Sequence, residues 1–203
     1  MYIKKNLKKY IDDLASREVV PGGGSAAALA ACVGIALSSM VANFTIGNKR
    51  YARVQANIRK LLKKNEALRK SAELLMDKDV VIFLKLHDTF KMSKDSSQRS
   101  NLIQKNLKSA AELPLEICVL SEEAMKVCAE IAKIGNVNLI TDAGCSVYML
   151  ESAYYSALLN VRINLKYIKD KKFISTAKKQ LAELSKSVAG LKRKVIAEVE
   201  KVM

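Results

Sequence analysis

Residues Val19 to Tyr51 read "VVPGGGSAAALAACVGIALSSMVANFTIGNKRY": a proline and three consecutive glycines, then 21 residues, Ser25 to Thr45, without one charge. A stretch of this kind is a membrane span, a buried helix, or a loop built to hold a ligand. Its length reaches the roughly 20 residues a spanning helix needs. Its content does not suit one, because Ala, Ser and Gly dominate and the larger apolar residues are too sparse to drive insertion. No second comparable stretch exists, so no membrane is expected. A helix with no charged face is a helix covered on every side. Small side chains let neighbouring helices come close, which places this one at the centre of a bundle or in a subunit interface.

Outside this stretch the sequence also reads as helix. The chain has 203 residues, two prolines and eight glycines, and half its residues are hydrophobic. That length can bury one sizeable core, and so few helix breakers favour an all-α, single-domain, multihelical bundle with long central helices spanning residues 1–203. Ile3, Leu7, Tyr10, Ile11 and Leu14 share one face of a first helix. The apolar helix runs to about Ile46. A long amphipathic helix covers about Ala52 to Phe90, and "KMSKDSSQRS" turns the chain at the surface. A helix from about Ser97 to Leu113 stops at Pro114. Three more follow, from Leu115 to Ile134, Asn138 to Lys169, and Phe173 to Val202. No stretch alternates as a strand would.

Charge and cysteine narrow the function classes. The formal net charge is +15, which attracts anions. Most of the excess is Lys interleaved with Glu on helical faces, a solvated surface, and no nucleic-acid-binding motif accompanies it. No secretory signal is visible in "MYIKKNLKKYIDDL". Cys32, Cys118, Cys128 and Cys145 form no C-x-x-C pair and His87 stands alone, so the chain reads as a cytoplasmic protein with reduced thiols and no metal site. No role is assigned to these five residues.

Three features carry chemistry. "PGGGS" precedes a helix start, where unsatisfied N–H groups and the helix dipole can cradle an anion. The same residues also suit a tight turn capped by Ser25. Neither a P-loop nor a dinucleotide fingerprint fits the spacing. Second, Leu68, Ala72, Leu75, Asp79, Ile82 and Leu86 recur at helical spacing and put Asp79 in an apolar stripe, with Asp77 rotated away and expected to be more exposed. Burial raises a carboxyl pKa and makes Asp79 an acid/base candidate; a structural ion pair or hydrogen bond accounts for it equally well. Third, Asn138, Asp142, Cys145 and Met149 share a face of a later helix, and Asn160 and Asn164 lie four apart further along it. Such polar groups bond neighbouring backbone or a heteroaromatic ligand.

"PGGGSAAALAACVGIALSSMVANFTIG", "DKD" before an apolar run, "GN" with "TDAG", and "NVRINL" occur in an order that resembles the cyclodeaminase/cyclohydrolase family over nearly the whole chain. This family comprises methenyltetrahydrofolate cyclohydrolases and the cyclodeaminase half of formiminotransferase-cyclodeaminases. Nothing resembles the transferase half. The resemblance implies a homodimeric helical bundle with folate bound between helices. It implies Asp79 as the catalytic acid/base. Gly22, Gly23, Gly24 and Ser25 then form the cradle, and Asp142, Asn160 and Asn164 bind substrate. Lys49 and Arg50 are expected to steer an anionic, polyglutamylated folate tail. The expected activity is cyclohydrolase, with cyclodeaminase as the alternative and a non-catalytic folate-binding dimer as a more remote one. The tetrahydrofolate substrate is the only ligand expected, without metal, further cofactor or nucleic acid.

Overall fold

The computed structural model describes residues 1–203 and contains six α-helices and no strand. They are α1 (Leu7–Leu14), α2 (Gly23–Thr45), α3 (Gln55–Lys91), α4 (Arg99–Ile134), α5 (Ile140–Leu165) and α6 (Lys171–Glu200). Helices α2, α3, α4 and α5 close a four-membered ring in which α2 packs on α3 and α5, and α4 completes the circuit. Helix α6 lies against α4 and α5. One contiguous core, from Ala27 and Ile35 to Val188 and Val195, runs through all of these long helices.

Small residues explain the packing of α2. Ala27, Ala28, Ala31, Ile35 and Ala42 are buried completely or nearly so. A Cβ on Gly34 would stand 2.8 Å from Leu150 Cγ, so only glycine lets α2 and α5 approach this closely. The Ser146 hydroxyl spans the same contact and donates to the Gly34 carbonyl at 2.6 Å. Across the ring, the Asn65 amide of α3 donates to the Ile35 carbonyl and to the hydroxyls of Ser38 and Ser39. Helix α2 is long and apolar enough to cross a membrane, and most of it is buried in the bundle. Burial is nevertheless not all-round. Val33, Ala36, Asn43 and Phe44 remain exposed along one stripe, because the ring covers only the opposite side.

Two sequence expectations are corrected. Pro114 does not end a helix but lies inside the continuous α4. Proline lacks the N–H that would bond the carbonyl four residues back. That carbonyl, of Ala110, instead accepts from Asn164 Nδ2 at 2.8 Å. The proline is tolerated because a neighbouring helix replaces the missing donor. The second correction concerns the N-terminal segment. Of its proposed apolar face, only Tyr10 is buried, while Ile3, Leu7, Ile11 and Leu14 are exposed.

Candidate active site

The N-terminal end of α2 and the C-terminal half of α5 meet because the two helices run antiparallel. Between them, α3 and α4 close a cavity of about 250 Å³. Gly22, Gly23, Gly24, Asp79, Asn160 and Asn164 line its polar side. Ile82, Phe83, Leu113, Pro114 and Ile163 line the apolar side. Residues from four separate elements, up to 142 positions apart from Gly22 to Asn164, therefore converge here.

Asp79, carried by α3, points its carboxylate at the first turn of α2, where orphan N–H groups and the positive end of the helix dipole favour a negative group. Its Oδ2 accepts from the Ser25 N–H at 2.9 Å. Ser25 is therefore not the cap; Gly22 holds that position, without a side-chain bond. The N–H groups of Gly23 and Gly24 have no backbone partner. Gly24 must be glycine, since a Cβ there would overlap Asp79 Oδ1 and stand 2.6 Å from its Cγ. Burial pushes the Asp79 pKa up to about 6, against the opposing pull of the Ser25 N–H. A carboxyl at that value changes protonation near neutral pH, as a proton-transfer group needs to.

The two asparagines offer acceptors. Asn160 Nδ2 donates to the Ser156 carbonyl at 2.9 Å, and Asn164 Nδ2 donates to the carbonyls of Ala110 and Asn160 at 2.8 Å each. Asn164 has both amide hydrogens engaged by backbone and Asn160 has one of its two engaged, so both carbonyl oxygens and one Asn160 N–H remain for a ligand. Together with the Asp79 carboxylate the two oxygens make a cavity that favours N–H donors and cations.

The structure brings together Gly22, Gly23, Gly24, Ser25, Asp79, Asn160 and Asn164, and leaves three candidates elsewhere. Asp142 is in the first turn of α5, while Lys49 and Arg50 are in a short 3-10 turn (Lys49–Val54) beyond the far end of α2. All three occupy the opposite end of the bundle. Asp77 is corrected as well: it is buried, not exposed. The N-terminal turn Tyr2–Lys4 lies over α3, and the Tyr2 N–H donates to Asp77 Oδ1. Sequence reasoning missed Tyr10, whose hydroxyl meets Ser25 Oγ at 3.2 Å directly behind the Asp79 contact. Its burial on an otherwise exposed helix is visible only in three dimensions. Nowhere do three His, Cys, Asp or Glu side chains converge as metal ligands would.

The sequence profile described as formiminotransferase-cyclodeaminase matches residues 6–183, the greater part of the chain and all of the cavity. The chain belongs to this family. Within it, a methenyltetrahydrofolate cyclohydrolase of Methylorubrum extorquens is 34% identical, over 97% of this chain and 96% of that protein. The formimidoyltransferase-cyclodeaminase of Rattus norvegicus is 27% identical over 88% of this chain, which spans only 34% of that longer protein. The crystal structure of a formiminotetrahydrofolate cyclodeaminase from Thermotoga maritima superposes with a TM-score of 0.93 at 27% identity, covering 100% of this chain and 99% of that one. The chain shares its helical fold end to end with the Thermotoga maritima structure.

Proposed function

We propose that this protein is a methenyltetrahydrofolate cyclohydrolase, converting 5,10-methenyltetrahydrofolate and water to 10-formyltetrahydrofolate, with Asp79 moving the protons. The observation that carries the proposal is a single carboxylate with a pKa near 6 in a cavity whose other polar side chains offer acceptors. The substrate's amidinium is cationic, and such a wall attracts it. Full-length similarity to a cyclohydrolase supports the same reading.

The chemistry follows from the groups present. The Asp79 carboxylate takes a proton as water adds to the amidinium carbon, forming a neutral tetrahedral carbinol. The resulting carboxylic acid protonates N5 and the bond from carbon to N5 breaks. The carbinol hydroxyl loses its proton as the formyl carbonyl forms on N10, so one proton is released overall. The free N–H groups of Gly23 and Gly24 stabilise oxygen charge as it develops. A carboxylate and backbone donors suffice for these steps. The asparagine oxygens accept from the pterin's N–H edge.

The working unit in this proposal is a cytoplasmic homodimer, and the substrate carries a polyglutamate tail. Cyclodeamination, in which N10 attacks a formimino carbon and ammonia leaves, is the second reading. It is favoured by the equal length and close superposition of the Thermotoga maritima cyclodeaminase. Two assays on the pure protein separate them. Loss of methenyltetrahydrofolate absorbance is expected, and ammonia release from formiminotetrahydrofolate is not. The opposite pattern establishes the second reading, and silence in both overturns the enzymatic assignment.

A further inference from the structure

The N-terminal segment takes no part in the chemistry above and adds little to the core. Helix α1 buries only Tyr10, and the Tyr2–Lys4 turn buries no residue. Its polar contacts nevertheless converge behind the cavity. The Tyr2 N–H donates to Asp77, two residues before Asp79 on α3. The Tyr2 hydroxyl lies 3.3 Å from the Val20 carbonyl, just before the proline and glycines, and 3.0 Å from Asp13 Oδ2. The Tyr10 hydroxyl donates at 3.2 Å to the Oγ of Ser25, the residue that follows the glycines. The rings of Tyr2 and Tyr10 meet edge to face with centroids 5.3 Å apart, so the two side chains hold each other in place.

The composition of the glycine turn explains why it needs such support. Gly22, Gly23 and Gly24 have no side chain by which to be held, and glycine has the freest backbone of any residue. Gly22 caps α2 without a side-chain bond. Ser25 is the first residue of α2 with a side chain to grip, and its N–H is the one that meets Asp79 Oδ2 at 2.9 Å. Ser25 is completely buried, so water does not replace a lost partner there. Burial, opposed by the Ser25 contact and reinforced by the Asp79 charge, holds the Tyr10 phenol above its ordinary value. Tyr10 therefore stays a neutral donor throughout the range in which Asp79 titrates.

We propose that Tyr10 is a positioning residue for the Asp79 base, clamping the first turn of α2 so that the Ser25 N–H stays aimed at the carboxylate, while Tyr2 ties the same turn to α3. The base's task comes from the folate reading above; the clamp itself comes from the contacts of the N-terminal segment. Tyr10 does not line the cavity and acts through Ser25. No titratable side chain of α2, α4 or α5 lines the cavity beside Asp79. On α3, Asp77 is held by Tyr2 and Lys78 is exposed. The Ser25 N–H is thus the contact that favours the charged carboxylate against burial.

Tyr10→Phe deletes the hydroxyl and keeps the ring. Loosening Ser25 weakens the bond to the charged form, so the Asp79 midpoint is expected to rise above its value of about 6, by roughly half a unit to one unit. The acid limb of log kcat/KM moves up with it. At the plateau kcat falls about five- to fifty-fold, while KM changes less than about twofold because substrate contacts are untouched. Ser25→Ala removes the acceptor, keeps the N–H, and is expected to match Tyr10→Phe. The double variant should be no slower than either, since all three break one contact. Circular dichroism and thermal melts establish that each protein is folded. A reduced kcat with an unmoved acid limb, or losses that multiply in the double variant, overturns the proposal. Carbon-13 NMR of the labelled Asp79 carboxyl, assigned by its disappearance in Asp79→Asn, follows the same midpoint without substrate. A midpoint that rises in Tyr10→Phe upholds the clamp even where the wild type turns over neither folate, an outcome that sinks the functional reading alone. An unmoved midpoint overturns the clamp whatever the turnover.

Discussion

Replacing Asp79 by Asn should cost activity while making the protein more stable, and the stability gain should depend on pH. The folded-state pKa is about 6 against an ordinary 3.8, because burial disfavours the charged form more than the Ser25 N–H favours it. The native state therefore holds this proton more tightly than the unfolded chain does. Below about pH 4 the carboxyl is protonated in both states and contributes no penalty. As pH rises towards 6 the unfolded chain ionises first, and the native state loses stability until its own carboxyl ionises. At 1.36 kcal/mol per pKa unit the ceiling is about 3 kcal/mol. Asp79 retains some solvent contact, so roughly 1–2 kcal/mol is the expected size. Asn keeps an acceptor for the Ser25 N–H and removes the charge. Urea unfolding followed by circular dichroism, at fixed protein concentration, should show equal stability of the two proteins near pH 4. Near pH 8 the variant should lead by ~1–2 kcal/mol, a rise in Tm of about 2–8 °C for a chain of this size. Turnover should fall by about 10²–10⁴ in the same protein. A variant that is less stable at pH 8, or whose advantage does not change with pH, refutes the claim that Asp79 is held at a desolvation cost.

The same pKa governs catalysis. The cyclohydrolase needs the ionised form, so log kcat/KM should fall with unit slope below about pH 6, and a flat profile there removes Asp79 as the base. Gly24→Ala inserts a methyl group where the Asp79 carboxylate lies. Although alanine suits a helix better by about 1 kcal/mol, turnover should drop at least about tenfold as the carboxylate is displaced; unchanged kinetics would contradict the geometry. Gly34→Ala probes packing alone. Its Cβ meets Leu150 Cγ at 2.8 Å, and thermal denaturation should show a loss of ~1–3 kcal/mol as α2 and α5 are forced apart.

Particular residues mark what could be read in one dimension. The helical spacing that put Asp79 on an apolar stripe was sufficient, because the residues packed around it on α3 obey the same period. That reasoning failed two positions away at Asp77, which is buried by the N-terminal turn, an element outside the helix whose period was being read. Pro114 failed for a related reason. The rule against proline in a helix assumes that the freed carbonyl stays unsatisfied, and Asn164, fifty residues later, satisfies it. The same bond shows why a polar residue on a buried helix face is ambiguous in sequence. Asn164 both repairs α4 and lines the cavity.

The sequence alone determined the all-helical class, the place and small-residue character of α2, and the candidacy of Asp79. These follow from local periodicity and composition, which act along the chain. Only the tertiary structure decided that the Ser25 N–H and the Asp79 carboxylate meet, that both amide hydrogens of Asn164 are taken by backbone carbonyls, and that Lys49, Arg50 and Asp142 lie far from the cavity. Those facts depend on which helices run antiparallel and how closely they approach. Contacts between distant segments set that geometry, and no local pattern encodes it.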